Sequence, residues 1–104
     1  MIAVIFEVWP KDGRAQDYFE TAVALRPELE KIDGFISVER FESLTEPGKY
    51  LSLSIWRDAA AVEAWHGHGG HRAAQKRGKD DIFADFRIRV ADVLRDYGLA
   101  DRLD

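Results

Sequence analysis

Residues 50–58 have the sequence YLSLSIWRD, in which two sets of side chains alternate strictly. Leu, Leu and Ile occupy the odd positions from 51 to 55, and Tyr, two Ser and Trp occupy the even positions from 50 to 56. A period of two is typical of a β-strand, which directs successive side chains to opposite faces of a sheet. Asp58 follows at once and is a favoured helix N-cap residue, so the sequence predicts a strand that leads directly into a helix.

The segment before this strand is its predicted hairpin partner. Residues 35–45 have the composition of an extended segment, and Glu46-Pro47-Gly48 is typical of a tight turn. Two extended segments joined by so short a connection favour a β-hairpin.

The amino-terminal third predicts one strand and one helix. Residues 2–9, IAVIFEVW, form a short β-branched and aromatic run that ends at Pro10, as expected of a buried strand. Apolar residues then recur every three or four positions over residues 13–25, which predicts an amphipathic helix with Asp12 as its N-cap. We expect Pro27 to kink or stop this helix, because proline cannot donate the helical hydrogen bond.

The carboxyl-terminal third predicts the second helix and the last strand. The helix after Asp58 should run through Trp65 and break at the glycines that follow, with a second helical piece over residues 71–77. Alternation returns at Ile82 and predicts a strand to about Val93, followed by a loose tail from Asp96.

The predicted order is strand, helix, strand, strand, helix, strand, within one domain over residues 1–104. This is the split β-α-β arrangement of the ferredoxin-like α+β architecture, an antiparallel sheet with helices on one face. The first strand is apolar on both sides, and an exposed apolar sheet face usually marks an interface. We therefore expect a homodimer in which two sheets meet.

Composition excludes several classes of function. The net charge of the 104 residues is −4 and the basic residues are interleaved with acidic ones, so nucleic acid is not an expected partner. There is no cysteine, which excludes disulfides and thiolate metal sites. The apolar run at the amino terminus is too short to span a membrane, and we expect a cytoplasmic protein that binds no membrane. No glycine-rich phosphate loop supports a nucleotide or flavin cofactor, and no GxSxG motif supports a serine nucleophile.

Residues 64–75, AWHGHGGHRAAQ, hold all three histidines and permit three interpretations. A metal site would use His68 and His71 with Glu63 nearby, but the glycines disfavour the continuous helix that would align them, and we expect no metal. In the second interpretation Trp65 is a core aromatic and the imidazoles lie in solvent or at helix ends.

In the third interpretation the broken helix leaves a gap above the sheet. Such gaps are where small ligands bind, and this one would be walled by Trp65 and reached by imidazoles suited to proton transfer. Glu7 interrupts the apolar first strand and either faces the same gap or faces solvent.

Several segments together resemble the antibiotic biosynthesis monooxygenase domain family. They are residues 50–58, the AVEAW of residues 61–65, His68, His71-Arg72, Ala74-Gln75, and FADFRIRV at residues 83–90. The resemblance covers nearly the whole chain and implies a dimeric α+β barrel of two ferredoxin-like subunits.

Family members of known activity include oxygenases that convert polycyclic phenols to quinones without metal or flavin. By position, the resemblance implies that Trp65 is a pocket wall and that His68 or His71 is the catalytic base or hydrogen-bond donor. Gln75, Glu7 and Trp56 are then further candidates for substrate binding. The implied ligand is an aromatic or quinol-type small molecule, and no cofactor is expected.

Haem degradation and non-catalytic ligand binding are the two alternative functions. Related haem-degrading members use an Asn on the first strand and a His about ten positions after the helix Trp, whereas this chain has Glu7 and Val8 near the first place and Gln75 at the second. Those departures argue against haem degradation. A non-catalytic ligand-binding or stress-response dimer of the same shape is the main alternative, and the sequence leaves open whether the protein is an enzyme.

Overall fold

A computed structural model describes residues 1–68, 73, 76–77 and 81–101. Four strands and two helices alternate in the predicted order, followed by a 3₁₀ turn at Leu99–Asp101. The elements are β1 (Ile2–Pro10), α1 (Ala15–Glu30), β2 (Phe35–Glu42), β3 (Tyr50–Trp56), α2 (Ala59–His66) and β4 (Phe83–Asp92). None of the helices in the described ranges is long and apolar enough to cross a membrane.

The four strands form one antiparallel sheet in the order β2-β3-β1-β4. In the centre of the sheet, Phe6 of β1 lies opposite Ser52 of β3 on one side and Ile88 of β4 on the other. This is the ferredoxin-like α+β arrangement, so the predicted fold is confirmed.

The two helices lie on one face of the sheet, here called the helix face. Two groups of buried side chains pack between the layers. The first group is Leu29, Val38, Trp56 and Ala61, and the second is Val8, Tyr18 and Ile82. Further half-buried apolar side chains pack against each group. The core is therefore concentrated at two places along the sheet rather than at its centre.

The opposite face of the sheet, here called the open face, is not covered by any described helix. Its central side chains are Ala3, Ile5, Leu51, Leu53 and Ile55. Period-two alternation explains this division, because the side chains at even positions of β1 and β3 point to the helices and those at odd positions point away. An apolar open face agrees with the expectation of a partner but does not by itself identify one.

The first helix differs from its prediction at both ends. Its N-cap is Arg14 rather than Asp12, and no side chain caps it. Asp12 lies instead in a turn with Gly13, whose φ of 76° is readily adopted by glycine, and the Arg14 N–H donates to the Lys11 carbonyl at 2.9 Å. At the other end α1 passes through Pro27 without interruption. Val23, which loses its helical partner to Pro27, is exposed, so water can bind its carbonyl.

The remaining boundaries are close to those predicted. Asp58 is the N-cap of α2 and its Oδ1 accepts from the Ala61 N–H at 3.0 Å, as expected. The strand β2 ends at Glu42, three residues earlier than predicted, because the hairpin connection begins at Ser43. The second helical piece predicted over residues 71–77 falls mostly outside the described residues.

Candidate functional site

A cavity of about 240 Å³ lies between the helices and the helix face of the sheet. The sheet contributes Val4, Phe6, Ser52 and Ser54 to its wall, with Ile88 and Val90 towards the β4 edge. The helix α1 contributes Ala22 and Leu25, and α2 contributes Val62, Trp65 and His66. An apolar space with a few polar groups in its wall is the usual form of a small-molecule site.

Small side chains between the two core groups explain why space remains there. Ser52 and Ser54 occupy the helix face of β3 where larger residues would fill the interior, and Ala22 faces them from α1. Trp56 and Tyr50, at the two ends of the same face, each pack against a different core group. The large side chains thus hold the layers apart at both ends, and the small ones leave the gap open between them.

Trp65 and His68 lie where the end of α2 approaches α1. Trp65 contributes to the cavity wall, and the imidazole of His68 stacks on its indole with 5.2 Å between ring centroids and 26° between ring planes. His68 Nε2 lies 3.4 Å from Glu28 Oε2 of α1. These contacts connect the two helices that cover the cavity.

His66 contributes to the cavity wall directly, although sequence reasoning selected His68 and His71 instead. Its position in the last turn of α2, one residue after Trp65, is the feature that places it there. His71 and Gln75 lie outside the described residues, so their proposed roles remain predictions.

Trp56 is a core residue that also contacts the cavity. Its side chain is 1% exposed and packs with Leu29, Val38 and Ala61. Its indole N–H donates to the Ser54 hydroxyl at 2.9 Å. Trp56 thereby forms part of the wall while contributing to the core, and its role in substrate binding stays a prediction.

Glu7 does not line the cavity, which corrects the expectation that it faces the gap. It lies at an odd position of β1, opposite Leu51, and therefore points to the open face. There its carboxylate is 3.1 Å from Arg89 Nη1 and 3.5 Å from Lys49 Nζ. The expectation fails because β1 is apolar on both sides, so its sequence does not show which face the helices cover.

Tyr18 and Arg40 are among the polar residues of the wall that sequence reasoning did not single out. Tyr18 of α1 is 6% exposed, and its phenol oxygen is enclosed without a well-formed hydrogen bond from any described residue. Arg40 of β2 approaches this phenol from the exposed rim of the cavity. Burial raises the pKa of Tyr18, and the positive charge of Arg40 opposes that rise in part. No sequence signal marks this pair, because it depends on how α1 docks against β2.

The described residues offer no ready-made metal centre. No three His, Asp or Glu side chains converge in residues 1–68, 73, 76–77 and 81–101. What the arrangement offers chemically is an apolar enclosure, an aromatic wall at Trp65, an imidazole at His66, and a cationic and hydroxylic rim at Arg40.

Comparison with known proteins gives a family and a fold. The sequence model described as antibiotic biosynthesis monooxygenase matches residues 1–77. A protein of Pyricularia oryzae named jasmonate monooxygenase ABM is 44% identical over 93 residues, which cover 89% of this chain and 43% of that protein. The uncharacterized protein YqjZ of Bacillus subtilis is 30% identical over 93 residues, covering 89% of this chain and 79% of that protein.

Solved structures agree on the architecture. A provisionally named antibiotic biosynthesis monooxygenase from Deinococcus radiodurans matches with a TM-score of 0.83 at 17% identity, covering 95% of this chain and 98% of the other. The protein Rv0793 of Mycobacterium tuberculosis matches with a TM-score of 0.82 at 16% identity, covering 93% of this chain and 98% of the other. Identities this low establish the fold alone. The family match over residues 1–77 goes further: this chain belongs to the antibiotic biosynthesis monooxygenase family.

Proposed function

We propose that the protein is a monooxygenase that oxidises an aromatic or quinol-type small molecule with molecular oxygen and without metal or flavin. The observation that carries the proposal is the apolar cavity with Trp65 and His66 in its wall. Membership of the family and the name of the Pyricularia oryzae relative support a monooxygenase activity. The chain spans about two fifths of that relative, so the activity is a proposal for this chain.

The proposed reaction draws its electrons from the substrate. A phenol that has lost its proton passes one electron to O₂, and the resulting radical pair joins to form a C–O bond at the hydrogen-bearing ring carbon para to the phenol oxygen. Return of the proton to the terminal peroxide oxygen gives a hydroperoxide. Loss of water from that hydroperoxide leaves a carbonyl. One oxygen atom enters the quinone, the other leaves as water, and the substrate supplies all four electrons.

The protein supplies proton transfer and an enclosure in this scheme. An imidazole is suited to remove a phenolic proton near neutral pH, and His66 is the described histidine in the cavity wall. His68, stacked on Trp65, and His71 are the other two proposed bases. The apolar wall limits the contact of the bound ring with water, which would otherwise solvate the electron-rich anion and compete for protons.

We further propose that the protein is a homodimer in which two open faces pack together. The central side chains of this face in β1 and β3 are apolar, while Glu7, Lys49 and Arg89 form ion pairs beside them. Packing two such faces would bury the apolar centre and give the dimeric α+β barrel. The expected measurement is a mass near twice 11.9 kDa by light scattering, reduced to the monomer mass in Leu53→Asp.

Oxygen uptake tests the proposed activity. Protein treated with a chelator is mixed with anthrones and hydroquinones, and uptake is compared with the uncatalysed rate. Labelled O₂ then shows whether one atom enters the product. We expect uptake that is reduced in His66→Ala, His68→Ala or His71→Ala and is unchanged in Arg95→Gln, a substitution on the exposed segment after β4.

The same panel of compounds distinguishes the proposed oxygenase from the main alternative, a non-catalytic ligand-binding dimer. Compounds that bind tightly, are not oxidised, and bind equally well to the three histidine variants would contradict the oxygenase and favour a non-catalytic ligand-binding dimer. A Soret band that decays with reductant would instead indicate haem degradation.

A further inference from the structure

Three hydrogen-bond donors converge on one end of the cavity. Arg40 of β2 and Ser52 of β3 are direct cross-strand partners in the antiparallel ladder, and both contribute to the cavity wall. Tyr18 contributes to the same wall from α1. This end adjoins the core group of Val8, Tyr18 and Ile82, whereas Trp65 packs against the other group. The donors and the aromatic wall therefore lie towards opposite ends of the space.

The buried phenol of Tyr18 stays protonated and can donate a hydrogen bond to a ligand. Only 6% of the residue is exposed, yet its oxygen has no well-formed hydrogen bond with a described residue. Burial raises the pKa of Tyr18, so the phenol remains protonated at neutral pH and can donate. Buried hydroxyls are normally paired, and Arg40, which lies near this oxygen, can only donate. The phenol hydrogen is therefore left without an acceptor among the described residues, which indicates a missing acceptor.

Arg40 is a cation without a carboxylate partner among the described residues. Arg26 pairs with Glu30 and Arg89 pairs with Glu7, but no described carboxylate forms an ion pair with Arg40. Its guanidinium instead lies near the phenol of Tyr18, where its positive charge favours the ionised phenol and so lowers the pKa. A guanidinium presents several donors in a fixed plane, which suits a carboxylate better than a single oxygen.

We propose that Arg40, Tyr18 and Ser52 hold the carboxylate of an otherwise apolar, ring-bearing ligand in this cavity. A carboxylate has two oxygens with about four acceptor sites, enough for a guanidinium and two hydroxyls together. A phenolate presents a single oxygen, on which three donors would crowd, whereas a carboxylate spreads them over two oxygens. The proposal deepens the proposed function, on which its identification of the ligand as a substrate rests.

The arrangement also orients the ligand. With its carboxylate at Arg40 and Tyr18, an apolar ring would extend along Phe6 towards Trp65 and His66. The reacting ring is then placed at the end where the imidazoles lie, and the anionic group is kept away from it.

Binding of three probes that share one ring tests the proposal. The probes are 2-naphthoate, methyl 2-naphthoate and 2-naphthol, titrated by calorimetry at neutral pH into the full chain. We expect 2-naphthoate to bind about tenfold or more tightly than either neutral probe. In Arg40→Gln and Tyr18→Phe this preference should fall at least severalfold while the affinity for the ester stays within about twofold. Arg95→Gln is the matched arginine control and should keep the full preference.

Every other outcome overturns the proposal. Equal affinity for acid and ester, tighter binding of naphthol, or no binding of 2-naphthoate at millimolar concentration would each exclude a carboxylate site. Circular dichroism of each variant separates loss of the site from loss of the fold. Because binding is measured without turnover, a carboxylate preference in a protein that consumes no oxygen would retain this site and reject the oxygenase.

Discussion

The indole N–H of Trp56 donates to the hydroxyl of Ser54 at 2.9 Å, two residues earlier on the helix face of β3. Both side chains are buried, with Trp56 1% and Ser54 9% exposed. The hydrogen bond allows a polar indole edge to be buried in the first core group. It also uses the serine hydroxyl, whereas the next serine along the strand, Ser52, forms no side-chain hydrogen bond within the described residues.

Replacing these two serines should therefore have unequal effects. Ser54→Ala leaves a buried indole N–H without its partner, and we expect the free energy of unfolding to fall by about 1–3 kcal/mol. Ser52→Ala removes a hydroxyl that pairs with no described residue, and a change within about 0.5 kcal/mol is expected. Urea unfolding of both variants measures the difference. Equal losses would show that the Trp56 hydrogen bond does not set the cost.

Gly34 and Gly13 form a second matched pair. Both have positive φ, 95° and 76°, so alanine strains the backbone at each. A Cβ on Gly34 would lie 2.7 Å from the Ala61 Cβ, whereas one on Gly13 would meet nothing within 4 Å. We expect Gly34→Ala to be less stable than Gly13→Ala by about 1–3 kcal/mol, the cost of overpacking a core.

The same pair tests how the position of α2 affects the cavity. Ala61 lies on the helix that carries Trp65 and His66, so a clash at Gly34 would push that helix from the sheet. Affinity for a naphthyl probe should weaken in Gly34→Ala and remain unchanged in Gly13→Ala. Equal affinities in the two variants would mean that the cavity tolerates movement of α2.

Much of the fold follows from local pattern in the sequence. Strict alternation in residues 50–56 and a capping Asp58 specify β3 and the start of α2, and both were correctly predicted. Local pattern was weaker at the ends of α1. There, Pro27 is accommodated inside the helix opposite the exposed residue Val23, and the turn at Gly13 moves the helix start away from Asp12.

The site was predicted less completely because it depends on tertiary packing. Trp65 was expected in the wall from its place before the glycine break and from the family resemblance, but Arg40, Tyr18 and Ser52 meet only through the β2–β3 register and the docking of α1. For Glu7 the sequence left open whether the side chain faces the gap or solvent, because an apolar strand does not reveal which face is covered. In the sequence the two serines of β3 indicated only the alternation of a strand, whereas in the structure their small size leaves room for the cavity.

Trp65→Leu should weaken the binding of ring-bearing ligands. The substitution keeps an apolar wall but removes the aromatic surface on which His68 also stacks. Aromatic pairs contribute about 0.5–1.5 kcal/mol beyond their burial, which corresponds to roughly a 2- to 10-fold loss of affinity. Trp9→Leu is the control, since Trp9 lies at an odd position of β1 and bonds to Glu46 outside the cavity. Equal weakening by both would contradict the placement of the ligand against Trp65.

Tyr18→Phe should separate the contribution of the phenol to stability from its contribution to binding. The enclosed oxygen lacks a well-formed hydrogen bond, so its removal loses only the contact with the exposed Arg40, and we expect the variant to be as stable as the original protein or slightly more stable at neutral pH. A buried hydroxyl that does not stabilise the fold would be explained by a hydrogen bond that it donates to a ligand.

At alkaline pH, the stability of Tyr18→Phe should increase relative to that of the original protein. Burial raises the pKa of Tyr18 above its ordinary value of 10.0, so above that pH the unfolded chain ionises this phenol while the folded chain does not. The folded state then holds more protons, and the free energy of unfolding decreases from about pH 10 until the pH passes the raised pKa. Tyr18→Phe lacks this contribution, and its unfolding free energy, measured in urea from neutral pH upward, should decline less steeply. Parallel declines in the two proteins would show that the phenol is solvated in the folded state, and would remove the enclosed donor on which the carboxylate site depends.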